Sequence, residues 1–318
     1  MSEGRQFAPK KSIENWGEYN EGLKKRYDIT VYFEDASVFD KPEAVGENGR
    51  PQEYSDGYIE LGLMLKSVYR MPYRGLEGFL DGFLKRMRLT DRPVPDYTTF
   101  CIRAKALEIK LRLEALRGRK ITVLVDSTGL KIFGEGEWKM RVHGKSKRRT
   151  WRKLHLGVDE ATQQIVAEDL TKNDVGDQEH LPEILDGVPD DIDIGRVTAD
   201  GIYDTWGCYA AANDHGAEMV VPPRKNAVEP DDATGRTDHP RAETIRDCKR
   251  LGREEWKKKS GYHRRSLAET AMYRYKTSFG ERMFSREFSR QKTEARVKVK
   301  TLNLFRDFAA PRYTAAAA

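Results

Sequence analysis

Residues 121–133 read ITVLVDSTGLKIF, and the change of texture at Lys120 decides the fold. Before it, apolar residues recur every three or four positions. Here an unbroken, β-branched apolar run stops at Asp126. Such a run predicts a strand buried on both faces of a sheet. Downstream, LHLGVD (154–159) and IVAEDLT (165–171), joined by EATQQ, read as a hairpin. A helix over about 177–185 follows, then a second buried strand, IGRVTAD (194–200), which also ends in a carboxylate. Next come a helix around DTWGCYAAAND, a strand EMVVPP and a helix-like stretch over 260–283. This order describes a mixed α/β domain, antiparallel strands first and parallel strands after.

Upstream, IELGLMLKSVYR (59–70) and LEGFLDGFLKRM (76–87) predict two helices broken at Met71-Pro72. Asp96, Thr98 or Thr99 is positioned to cap a third over IRAKALEIKLRLEALRG (102–118). Three short helices suit a helix-turn-helix module or any small helical bundle. Residues 1 to about 50 form a partly loose arm in which NWGEYNEGLKKRYDITVYF docks a short helix and strand. Residues 224–260, rich in Pro, Asp, Arg and Lys, are expected as a loop-rich insertion.

The chain of 318 residues carries a net charge of +6, distributed unevenly. Residues 139–153 hold 8 Lys/Arg and no acid, and residues 241–300 hold 19 against 8, so the rest carries −13. Two basic segments on an otherwise acidic chain, interleaved with Trp151, Trp256, Tyr262 and Tyr273, suit a polyanion such as nucleic acid. No apolar run is long enough to cross a membrane and no signal peptide is present, so a cytoplasmic location without membrane partners is expected. Cys101, Cys208 and Cys248 are far apart and read as ordinary thiols. The six histidines lack metal-ligand spacing and read as structural or surface residues, and HGKS at 143–146 lacks the upstream glycine of a phosphate-binding loop.

Asp126 and Asp200 both sit at the ends of apolar runs, where adjacent strands of an open sheet place their sites. Each taken alone reads as a turn or helix cap. The same holds for Asp177, a helix cap, and Trp206 is expected to pack in the core. On a helix turning about 100° per residue, Tyr262, Arg265 and Lys276 fall within about 40° of Glu269, whereas Arg264 and Arg274 fall about 140° away, on a solvated face. Three carboxylates converging from two strands and a helix are suited to two divalent ions about 3.5–4 Å apart, flanking an in-line phosphoryl displacement. Magnesium or manganese prefers such hard oxygen ligands. On the same face Arg265 and Lys276 are placed to hold a DNA phosphate, and Tyr262 to stack or hydrogen-bond at the cut end.

The segment YHRRSLAETAMYRYK (262–276) has the pattern Y-x2-R-x3-E-x6-K and resembles the signature around the catalytic glutamate of DDE transposases of the insertion-sequence-four and insertion-sequence-five groups. NWGEYNEGL, PVPDYTT, DSTGLKIFGEGEWKMRVHGKSKRRTWRKLHLGVDE, TKNDVGD, ADGIYDT and VPPRKNA resemble the insertion-sequence-five group in particular. The resemblance implies a ribonuclease H-like fold and a catalytic, metal-holding triad of Asp126, Asp200 and Glu269 with two Mg2+ or Mn2+ ions. It implies a transposase of a prokaryotic insertion sequence that binds the terminal inverted repeats of its element, cuts there and joins the ends to target DNA. A homodimer or higher assembly on nucleoid DNA is expected with it. DNA contacts are expected from Tyr262, Arg265, Lys276, Lys145, Lys147, Arg148, Arg149, Arg152 and Lys153. The corresponding division is an arm (1–55), a helical DNA-binding region (56–118), a catalytic domain (119–290) with the basic insertion, and a tail (291–318). An inactive DNA-binding derivative and a nuclease without strand transfer are the alternatives.

Overall fold

The computed structural model describes residues 12–42, 52–132, 151–230 and 235–313. At its centre lie β1 (Lys120–Ile132), β2 (Trp151–Asp159), β3 (Ile165–Lys172), β4 (Asp193–Thr198), β5 (Glu218–Val220) and β6 (Arg282–Met283). They form one mixed sheet in the order β3-β2-β1-β4-β5, with β6 also paired to β1. The β1–β2 and β2–β3 pairs are antiparallel, and β4 and β6 run parallel to β1. The expected switch from antiparallel to parallel is therefore present.

Alternate β1 side chains enter opposite cores, as a strand's period of two requires. Val123 and Val125 pack under α5 (Leu181–Asp186) and α6 (Trp206–Asp214) with Ile184, Val197 and Tyr209. Leu124 packs on the other face with α9 (Ser266–Phe279) and α10 (Phe288–Phe308), against Ala271, Tyr275 and Val299. Each such fully buried aliphatic or aromatic side chain contributes about 1.5–3 kcal/mol. A third cluster joins α2 (Asp56–Val68), α3 (Tyr73–Arg86) and α4 (Tyr97–Arg103) through Leu65, Leu76, Leu80 and Phe100, and Val297 of α10 belongs to it. Gly62 lets α2 approach α4: a Cβ there would meet the Phe100 ring at 2.4 Å.

One feature of β1 positions the site. β4 follows it only as far as Leu124↔Thr198, and β6 takes up the same edge at Lys131↔Arg282. Between these pairs the edge is open, and Asp126 lies in that notch. β1 does not end at Asp126 as expected; antiparallel pairing with β2 carries it through Ser127 and Thr128 to Lys131↔Trp151.

Several other expectations are corrected. The helix expected over 102–118 is the seven-residue α4, capped by Asp96, which accepts from Thr99 N. Beyond it Leu107, Ile109 and Leu113 are buried at a period of two while Glu108, Lys110 and Arg112 are exposed, so the segment runs extended along the body. After α1 (Trp16–Lys25), Ile29–Tyr32 is a 3-10 turn rather than a strand, because the Asp28 side chain accepts from Thr30 N and tightens the backbone. Only the later part of the insertion is helical, with α7 (Pro240–Leu251) and α8 (Arg253–Lys259) anchored by buried Ala242, Ile245 and Trp256, while the described residues before Pro240 are loop and turn as expected. The expected tail contains most of α10, a 21-residue helix. Its Asn303 pairs with both the N–H and the C=O of Ile165, covering the start of edge strand β3.

Candidate active site

Asp126 lies two residues beyond Leu124 and Asp200 two beyond Thr198, and Leu124 and Thr198 are paired partners. The two aspartates are thus level at one edge of the sheet. Asp200 also caps the turn Gly201–Tyr203, accepting from Ile202 N at 2.8 Å, so the cap reading and the site reading share one residue. Leu124 and Asp126 face the side covered by α9. There the Gly261 backbone, at φ +71°, breaks the chain direction after α8 and starts a 3-10 turn over Tyr262–Arg265 that leads into α9. Tyr262 and Arg265 therefore precede the α-helix, and one regular helical face does not hold them with Glu269 and Lys276.

Arg265 nevertheless meets the carboxylates. Its Nη1 donates to Asp126 Oδ2 at 3.0 Å, and its Nη2 donates to Glu269 Oε1. Burial pushes the Asp126 carboxyl above its ordinary pKa; the Ser127 N–H and Arg265 pull it down, and the negative charges of Asp200 and Glu269 push it up again. Asp126 thus feels the charge of both other carboxylates. Burial also raises the Tyr262 hydroxyl, with Arg265 opposing and Asp200 reinforcing the shift. Among the described residues no three His, Cys, Asp or Glu side chains stand close enough to hold a metal ion. The positive charge between Asp126 and Glu269 is the guanidinium of Arg265.

By chemical type alone the carboxylate oxygens of Asp126 on β1, Asp200 in the turn after β4 and Glu269 on α9 are the hard ligands a divalent cation prefers. Tyr203, missed by the sequence reading, supports that fit. Its hydroxyl is buried without a hydrogen-bond partner among the described residues, and its pKa is raised by burial and by the charges of Asp177, Asp126 and Asp200. The following loop is clamped as well: Asp204, 2% exposed, takes Arg241 through both oxygens and also accepts from Arg224 N. The burial of an acid within ADGIYDT has no local signal.

The remaining site residues are distributed differently. Lys276 is on α9 and acts electrostatically on Glu281. Arg152 donates to Gln291 Oε1 at 2.9 Å, and Lys153 pairs with Asp177 at 3.0 Å, so both are tied into the body. That pairing replaces the expected capping role of Asp177, which has no side-chain cap bond. Lys145, Lys147, Arg148 and Arg149 lie outside the described residues. Arg264 pairs with Glu160 at 2.6 Å, whereas Arg274 is not on a solvated face: it donates to Gln163 O in a crevice beside α10. Trp206 is not core either, lying between Arg236 and Arg241 at 4.6 and 4.8 Å. The cysteines are free thiols. His155 bonds Thr171 and His180 bonds Asp169, as structural histidines do.

A six-stranded mixed sheet flanked by helices is the architecture of a DDE-type domain in outline. A family model described as transposase DDE domain matches residues 117–304, more than half of the chain, and a second model of the same description matches residues 24–135. The chain belongs to the transposase DDE domain family. No solved structure matches it. Membership implies DNA as substrate, strand cleavage and transfer as the activity, and use of a divalent metal. No helix among the described residues is long and apolar enough to cross a membrane.

Proposed function

We propose that the chain is a transposase of the insertion-sequence-five group, encoded by a prokaryotic insertion sequence, with Asp126, Asp200 and Glu269 as its metal-holding catalytic triad. The observation that carries this reading is the notch in β1, where level aspartates face Arg265, from the turn before α9, and Glu269 on α9. When bound there, two Mg2+ or Mn2+ ions supply charge neutralisation at the scissile phosphate and lower the pKa of the attacking water. Asp126 orients from strand β1 and Asp200 from the capped turn just after β4, whereas Glu269, 56% exposed, enters from the open side. Arg265 neutralises Asp126 and Glu269, and with those carboxylates engaged by cations its planar fork would be free to grip a DNA phosphate bidentately. Tyr262 borders that phosphate, and Lys276 adds a point charge further along α9.

The basic stretch with Lys145, Lys147, Arg148, Arg149, Arg152 and Lys153, together with the helices α2 to α4 as a helix-turn-helix-like unit, holds the terminal inverted repeats. Joining two ends to target DNA requires a homodimer or higher assembly, working at the nucleoid in the cytoplasm. With element-end DNA and magnesium, Asp126→Asn and Glu269→Gln are expected to lose cleavage about a thousandfold or more, since each loses several kcal/mol of charge stabilisation. Variants that cut as well as the parent would remove the triad assignment. Cutting without joined products would instead identify a nuclease, and DNA binding without cutting by the parent an inactive derivative.

A further inference from the structure

We propose that the cavity enclosed by α1, α9 and α10, separate from the notch, binds a phosphate group. It measures about 410 Å3 and is lined by Arg26, Arg274 and Arg306, with Tyr19, Tyr273 and Tyr313 around them. The arginines come from three parts of the chain: just after α1, the middle of α9 and the end of α10. Their contacts leave most donors unused. Arg274 Nη2 donates to Gln163 O at 3.0 Å and Arg306 Nε to Thr162 O at 2.9 Å, both backbone carbonyls of the β2–β3 turn. Arg26 lies over the Phe305 ring at 5.1 Å. The Nε groups of Arg26 and Arg274 are buried with no hydrogen-bond partner among the described residues.

Among the described residues no carboxylate forms an ion pair with Arg26, Arg274 or Arg306. The nearest acid in charge effect, Asp307, accepts from Gln164 Nε2 at 2.7 Å. Burial pushes Arg274 down to about 10, and the charges of Arg306 and Arg26 push it the same way. Three like charges facing one crevice, with buried N–H groups unsatisfied, are unfavourable unless an anion takes them. A guanidinium fork matches phosphate oxygens two at a time, and several such forks suit a multiply charged group better than a single carboxylate. Tyrosine hydroxyls supply further donors, and the volume leaves room for what carries the phosphate. The shared chemistry is thus a phosphate, belonging either to a nucleic-acid backbone or to a free phosphate-bearing molecule.

Isothermal titration of the full chain with pyrophosphate, at constant ionic strength and with chelator present to exclude any metal-mediated contact at the notch, tests this directly. The parent is expected to bind, and Arg274→Gln, Arg306→Gln and Arg26→Gln each to bind at least about tenfold more weakly. Arg26→Gln keeps the test sound if the others fold poorly, because the Arg26 side chain donates no hydrogen bond to any described residue. Where the arginine dependence is seen, displacement of pyrophosphate by duplex DNA identifies the backbone as the source, and undisturbed binding identifies a free phosphate compound. Absence of binding by the parent, or equal affinity in the parent and Arg26→Gln, overturns the proposal, whatever the outcome of the cleavage assays.

Discussion

Glu168, on β3, shows how a single side chain's surroundings set its charge. Its side chain is 4% exposed and 3.5 Å from Arg296; burial pushes the carboxyl from 4.5 up to about 7, with Arg296 pulling the other way. The folded state therefore holds the proton more tightly than the unfolded chain does. This group's stabilising contribution is complete below about pH 4.5 and is lost as pH rises towards about 7. Thermal melts should show Glu168→Gln gaining about 1–3 kcal/mol on the parent between pH 5 and pH 8. His155 works in the opposite sense: burial lowers it to about 4, so its contribution is lost as pH falls from 6.5 towards that value. At the site, the level placement of Asp126 and Asp200 was legible from two apolar runs ending in a carboxylate. The bond from Arg265 to Asp126 was not, because it joins positions 139 residues apart.

Among the elements, residues 107–113 were misread because ALEIKLRL satisfies two periods at once. Its residues are good helix formers, yet the apolar ones alternate strictly, and tertiary contact selects the alternation. Arg296 Nε donates to Ile109 O at 2.7 Å, a bond from α10 that only an open backbone carbonyl can accept. Ile109→Ala should cost about 2–5 kcal/mol and Lys110→Ala less than about 0.5 kcal/mol in denaturant unfolding; equal costs would contradict the extended packing. Elements with one clear period and local punctuation, such as α2, α3 and the β2–β3 hairpin, were legible, since their signals lie within a few residues.

For the whole molecule, α10 is the element on which the others converge. It packs on the sheet through Val299 and on the helical region through Val297. It also carries a buried charge network: Lys298 Nζ pairs with Glu294 Oε1 at 2.7 Å, Glu294 accepts from Ser285 N at 2.8 Å, and Lys66 of α2 lies over the Tyr73 ring at 4.7 Å beside them. Removing one member strands the others in the core, so Glu294→Ala should cost about 3–5 kcal/mol, and a second change, Lys298→Met, should restore part of it. A chain ending before Phe288 should show no cooperative melt by circular dichroism, whereas an independent tail could be removed without loss. The sequence by itself determined the order of β1 to β5 and of the helices between them, the pairing of aspartates at one sheet edge and the DDE family, because periodicity, turn chemistry and motif spacing are written within short stretches. Only the tertiary structure decided the central place of α10, the extended run at 107–113, the Arg265 bridge and the three-arginine cavity. Each of these depends on which distant residues share a buried space, and burial sets both the cost of a charge and the partner it must find.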